Sequence, residues 1–141
     1  MTKDDLSRPP PSGLLFLCVA NSARSQMAEG FARFIGPSDM KYYSAGSAPT
    51  LINPFAVKAM EEVGIDISGH RAKSLSEIPI EEVSTVVTLC AEEECPVLPA
   101  GVHHLAWPLE DPADVRGDEE EVLQVFRRVR DQIRELVSRL F

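Results

Sequence analysis

The sequence predicts an α/β fold, a four-stranded parallel sheet with helices on both faces, and three patterns carry that prediction. Short continuous apolar or β-branched runs, the kind buried on both sides in a parallel sheet, alternate with segments of helical periodicity. Glycine and proline punctuate the ends of those segments. No apolar run approaches the roughly 18 residues of a membrane span, and 141 residues suffice for one hydrophobic core.

The first residues, 1–12, carry acidic side chains and three prolines where an export signal needs basic and then apolar residues. They are expected to form a disordered tail, with 13–141 as a single domain. Gly13 to Val19 is an apolar run and the first expected strand. After Ser25, residues Met27, Ala28, Phe31, Phe34 and Ile35 share one helical face, and Gly36-Pro37 ends that helix. Lys41 to Gly46 is the second expected strand. Asn53-Pro54 supplies a cap and a first-turn proline for a helix closed by Gly64. Val83 to Cys90, rich in β-branched residues, is the third strand, and His103 to Trp107 a short fourth. From Asp118 onward, Val122, Phe126, Val129, Ile133, Leu136 and Leu140 recur in steps of four and three, marking a long amphipathic helix. Asp118 with Glu121 fits a capping pair. In such a sheet ligands bind beyond the carboxyl ends of the strands, so Cys18 and Cys90 are expected at one edge.

A net charge of -8 argues against nucleic acid or an anionic membrane as partner, so any anion site must be built locally. Three cysteines, an odd number without an export signal, point to reduced, reactive thiols in a cytoplasmic protein. The plain alternative for any one of them is an inert buried thiol.

The loop CVANSARS, Cys18 to Ser25, falls between the first strand and the first helix. Backbone amides of Val19, Ala20, Asn21, Ser22, Ala23 and Arg24 are free there to converge on a tetrahedral oxyanion. Arg24 adds a planar fork for two oxygens. The same field favours the thiolate of Cys18 as a nucleophile, and Ser25 stands within reach to hydrogen-bond it. Asn21 tolerates the positive φ of a tight loop and can brace it.

CVANSARSQMAEGFAR resembles the phosphate-binding loop and following helix of the low-molecular-weight tyrosine phosphatase superfamily, and within it the thioredoxin-coupled arsenate reductases. SAG at 44–46, GIDIS at 64–68, VVTLC at 86–90 and WPLEDPA at 107–113 extend the likeness in the same order. The resemblance implies that superfamily's fold and the reduction of arsenate to arsenite, with phosphate or sulfate as mimics of the substrate. It implies that Cys18 attacks arsenic, that Cys90 then attacks Cys18, and that Cys95 passes the disulfide outward to thioredoxin. Because a disulfide needs Cα atoms within roughly 7 Å, residues 90–99 are expected to rearrange during turnover. Asp111, followed by Pro112, matches the superfamily's general acid, with Glu110 a weaker candidate.

Some of those reductases bind potassium beside the loop. Asn21, Glu29 and Ser44 match the binding positions, but Lys73 stands where those enzymes carry an acid, so its ammonium is expected to replace the cation. The spacing from Cys90 to Cys95 is two residues shorter than in those reductases, which leaves glutaredoxin or a small thiol open as reductant. Ala113, Asp114 and Val115 stand where the phosphatases carry substrate-lining tyrosines, and Ala23 where they tend to carry a second loop cysteine. Both departures favour reduction over a tyrosine or small phosphoester phosphatase. A third reading, a non-catalytic arsenic sensor, lacks a basic DNA-reading surface. Zinc at Cys90, Cys95, His103 and His104 is disfavoured because adjacent histidines seldom share an ion, and no metal or cofactor is expected. His70 is expected at the surface or as a cap, and the protein as a monomer.

Overall fold

Strand β1 (Gly13–Cys18) lies at the centre of a sheet with β2 (Lys41–Gly46), β3 (Val83–Thr88) and β4 (His103–Ala106), in the order β2-β1-β3-β4. All pairings are parallel, and Leu17 faces Ala45 on one side and Thr88 on the other. The computed structural model describes residues 13–89 and 101–141. The expectations placed on the tail 1–12, and on Cys90, Cys95 and the rearrangement of 90–99, lie outside those residues.

All six residues of β1 are buried, which is why its sequence is continuously apolar and does not alternate. The chain leaves β1 for β2 on one side, then returns across it to β3. That reversal opens a crevice at the carboxyl ends of β1 and β3, where an open parallel sheet binds its ligands.

Three α-helices, α1 (Arg24–Ile35), α2 (Pro54–Glu61) and α3 (Glu119–Ser138), bury their apolar faces in one cluster. Met27, Ala28 and Phe31 of α1, Ala56 and Met60 of α2, and Phe126, Val129 and Ile133 of α3 meet Leu14, Phe16 and Val87 there. Leu15, Leu17, Ala45 and Val86 point to the other face, where the short 3-10 helices Leu75–Glu77 and Ile80–Glu82 contribute Leu75 and Ile80, with Ile78 between them. Helical cover on both faces is therefore present but unequal among the described residues. The α-helices crowd one side, and single 3-10 turns, too short to show periodicity, serve the other.

The caps follow the sequence signals. Asn53 Oδ1 accepts from the Phe55 amide at 2.8 Å, Asp118 Oδ1 accepts from Glu121 N at 2.8 Å, and Gly36 N donates back to Ala32 O at 2.8 Å. Boundaries differ by one to three residues. α1 takes in Arg24 and Ser25, and α2 stops at Glu61, with Gly64 (φ +84) turning the chain beyond it. β1 ends at Cys18 because the Val19 carbonyl turns out to the Ala48 amide and leaves the ladder. β3 ends at Thr88 and β4 at Ala106, each short of its expected end. Trp107 continues beyond β4, its amide donating to Thr88 O at 2.8 Å and its ring 6.2 Å from that of Phe16. Arg130, nearly buried, donates to Ala59 O and Glu62 at 2.9 Å each and clasps α3 to α2.

Among the described residues, no helix is long and apolar enough to cross a membrane. Phe126 is fully buried with its ring centroid 5.5 Å from that of Phe55. Phe126→Ala is expected to lower stability by about 3–5 kcal/mol, read from urea unfolding, because the cavity opens where three helices converge.

Candidate active site

The segment from Val19 to Ala23 is held by its carbonyls. Val19 O accepts from Ala48 N at 2.8 Å, Ala20 O from Thr50 N at 3.0 Å and Ser22 O from Asn53 N at 3.0 Å. In a planar trans peptide the N–H points opposite the C=O. Turning these carbonyls outward therefore turns the amides of Ala20, Asn21 and Ala23 inward. Asn21 N shows the direction by donating to Cys18 Sγ at 3.2 Å. Asn21 adopts φ 49, the left-handed conformation that asparagine tolerates better than most residues. The close approach requires Gly46, since a Cβ there would lie 2.4 Å from Val19 O and 2.8 Å from Asn21 N.

Cys18 ends β1 with its side chain buried, and its sulfur lies 2.9 Å from Ser25 Oγ. Ser25 Oγ in turn accepts from Asn21 Nδ2 at 2.7 Å. The serine hydrogen is thus left for the sulfur, which gathers two donors, the Ser25 hydroxyl and the Asn21 amide. Ala23, at the N-cap of α1, provides no side-chain cap. The first-turn amides and the positive end of the helix dipole are left facing the loop.

Arg24 is 3% exposed. Its Nη1 donates to Leu89 O at 3.1 Å and Leu109 O at 3.0 Å, and its Nη2 stands 3.4 Å from Asp111 Oδ2. The other Asp111 oxygen accepts from Ala113 N at 3.0 Å and caps the 3-10 helix Pro112–Asp114. One guanidinium thus links the loop, the end of β3 and the Asp111 turn. Glu110 pairs instead with Arg128 of α3 at 2.5 Å.

Beneath the loop, Glu29 accepts from Ser44 Oγ at 2.5 Å and from Arg33 Nε at 2.7 Å. Lys73 Nζ lies 3.9 Å from Glu29 Oε1 and donates to Arg71 O at 2.9 Å. The Lys73 backbone amide donates to Asn21 Oδ1 at 2.8 Å, which settles the orientation of the asparagine amide. Burial pushes the Lys73 ammonium below the ordinary lysine value, with Glu29 opposing the shift. The structure thus brings together Cys18, Arg24, Ser25 and Asp111 around the loop, with Asn21, Glu29, Ser44 and Lys73 below it.

Two polar residues at the site escaped the sequence reading. Gln26 is fully buried and donates to Asn21 O, Asn21 Oδ1 and Arg71 O at 3.2, 2.9 and 3.0 Å. His70 Nδ1 lies 3.0 Å from Gln26 Oε1, so His70 is a half-buried partner of this network and not a surface or capping residue. Burial pushes its imidazole below the ordinary histidine value. Arg24 through Ala32 are all buried, so α1 lacks the polar face that would have singled out an inward-facing glutamine. His104 Nε2 lies 3.0 Å from Thr88 Oγ1, and His103, the adjacent strand residue, points to the opposite face. Among the described residues no three metal-ligating side chains cluster, and Cys90 and Cys95 of the zinc alternative lie outside them.

Gly46→Ala tests the loop geometry directly. The added methyl must displace Val19 and Asn21, and affinity for inorganic phosphate, measured by calorimetry, is expected to fall at least about tenfold.

A family model described as low molecular weight phosphotyrosine protein phosphatase matches residues 13–141. The arsenate reductase of Bacillus subtilis (strain 168) is 46% identical over 122 residues, covering 85% of this chain and 88% of that protein. A solved structure of an arsenate reductase in the phosphate-binding state aligns with a TM-score of 0.77 at 37% identity, covering 92% of this chain and 95% of that one. A thioredoxin-dependent arsenate reductase from Corynebacterium glutamicum aligns with a TM-score of 0.66 at 30% identity, over 95% of this chain and 68% of that one. By its fold, its loop and this match over 13–141, the chain belongs to the low molecular weight phosphotyrosine protein phosphatase family.

Proposed function

We propose that this protein is an arsenate reductase that turns over by a relay of three cysteines. The observation that carries the chemistry is the Cys18 sulfur, held by two donors at the end of a loop whose amides face inward, with Arg24 and Asp111 alongside. Such a site binds a tetrahedral oxyanion and attacks its central atom. Relatives of high identity that are named arsenate reductases support reduction as the outcome.

In the first step the Cys18 thiolate forms a bond to arsenic, and one arsenate oxygen leaves as water after protonation by Asp111. The amides of Val19 to Ala23 and the Arg24 fork hold the remaining oxygens, and Ser25 steadies the sulfur. In the second step the Cys90 thiolate attacks Cys18. The electron pair of the sulfur–arsenic bond passes to arsenic, which leaves as arsenite, and a Cys18–Cys90 disulfide remains. Cys95 then attacks Cys90, freeing Cys18, and thioredoxin reduces the Cys90–Cys95 disulfide. Thioredoxin dependence in the Corynebacterium glutamicum neighbour supports that reductant. Phosphate and sulfate would occupy the same cradle without being reduced. The reading assigns the enzyme, as a monomer, to the reducing cytoplasm.

The Lys73 ammonium, beside Glu29 and hydrogen-bonded to Arg71 O, takes the part of a loop-bracing cation. Turnover is accordingly expected to be the same in potassium and sodium buffers, and a several-fold activation by potassium would overturn this role.

The relay is tested by arsenate-dependent NADPH consumption with thioredoxin and its reductase, beside p-nitrophenyl phosphate hydrolysis. Cys18→Ser is expected to abolish both activities. Cys90→Ser and Cys95→Ser are expected to abolish arsenate turnover while sparing slow ester hydrolysis. Intact arsenate turnover in the latter two variants refutes the relay. Fast ester hydrolysis without arsenate turnover marks the protein as a phosphatase.

A further inference from the structure

Gln26 is fully buried directly behind the loop, in the first turn of α1. Its amide nitrogen has two hydrogens, and three oxygens lie around it: Asn21 O at 3.2 Å, Asn21 Oδ1 at 2.9 Å and Arg71 O at 3.0 Å. Its own oxygen can only accept, so the facing His70 Nδ1 at 3.0 Å carries a hydrogen. Burial disfavours the imidazolium, and the Nδ1 hydrogen is directed at the Gln26 oxygen. The amide is locked by these partners. Flipping it would set an oxygen against three oxygens and an NH2 against an N–H.

What Gln26 grips is the residue with the left-handed backbone, Asn21 at φ 49, held at once by main chain and side chain. Asn21 in turn supplies both routes to the sulfur, its own amide at 3.2 Å and, through its Nδ2, the Ser25 hydroxyl at 2.9 Å.

We infer that Gln26 is a positioning residue for the nucleophile: by holding Asn21 from both ends, it fixes the two donors aimed at Cys18 Sγ, and His70 sets its orientation. The inference rests on the oxyanion-cradle reading but not on arsenate reduction, so it is tested with inorganic phosphate and an alkylating agent. In the reduced full-length chain, the pH profile of Cys18 alkylation by iodoacetamide is followed by mass spectrometry of the Cys18 peptide. Phosphate affinity is measured by calorimetry and folding by thermal melting. Gln26→Met keeps the length and removes every polar contact, while Arg24, Asp111, Glu29 and Lys73, the charged groups around the loop, stay in place.

The variant's alkylation profile is expected to move up by about one pH unit, as loss of a hydrogen bond to an anionic group implies. Phosphate is expected to bind about tenfold more weakly. His70→Leu leaves Gln26 but frees its amide to turn. A smaller shift in the same direction is expected, and this variant decides the matter if Gln26→Met does not fold. His70→Asn, able to donate again, is expected to recover part of the loss. A folded variant whose profile and phosphate affinity match the wild type within about twofold overturns the inference. A wild-type chain that binds no phosphate overturns the cradle reading and this inference with it.

Discussion

The site depends on which way a few peptide planes face. Three carbonyls of the loop are bound by the amides of Ala48, Thr50 and Asn53, a stretch that runs from the end of β2 to the cap of α2. Each such bond contributes only about 1 kcal/mol. Together they offset the strain of Asn21 in the left-handed region, of order 1–3 kcal/mol. The loop amides are therefore held facing inward by the fold itself. β2, Gly46 and the capped start of α2 shape the loop through this one device.

Electrostatics adds a second layer of local design. A chain of net charge -8 repels anions at long range, but in physiological salt that field fades over about 8 Å. Inside the fold the order is reversed. Arg24 lies beside the loop and Lys73 beneath it, and the carboxylates nearest them, Asp111 and Glu29, are already engaged with these cations and with hydrogen-bond donors. What faces the loop is positive: inward-turned amides and a helix N-terminus, with the Arg24 guanidinium alongside.

Much of this was legible in the residues because it rests on local rules. Asn53-Pro54, Asp118 with Glu121, and the continuous apolar run of β1 each act within a few positions, and each produced the expected element. The pairing of Cys18 with Ser25 and the positive φ of Asn21 were equally local. Gln26 with His70 was not, because the two are 44 positions apart and α1 is buried nearly all round, which erases the contrast that marks a special polar residue. The gathering of the α-helices on one sheet face was hidden for a related reason. Periodicity says that a helix has an apolar side, but not which face of the sheet it covers. The boundaries of β1 and α1 shifted where loop hydrogen bonds competed with the ladder, a contest that strand propensity does not describe.

Trp107, the chain's single tryptophan, sits against Phe16, two residues before Cys18, and four residues before Asp111. Its amide is tied to β3, and the carbonyl of Leu109, just beyond, is tied to Arg24. The indole therefore packs on the core and adjoins the turn that carries Asp111. The chain thus carries a lone fluorophore beside the site. Its emission reports on the surroundings of the Asp111 turn, without a label and without altering a residue.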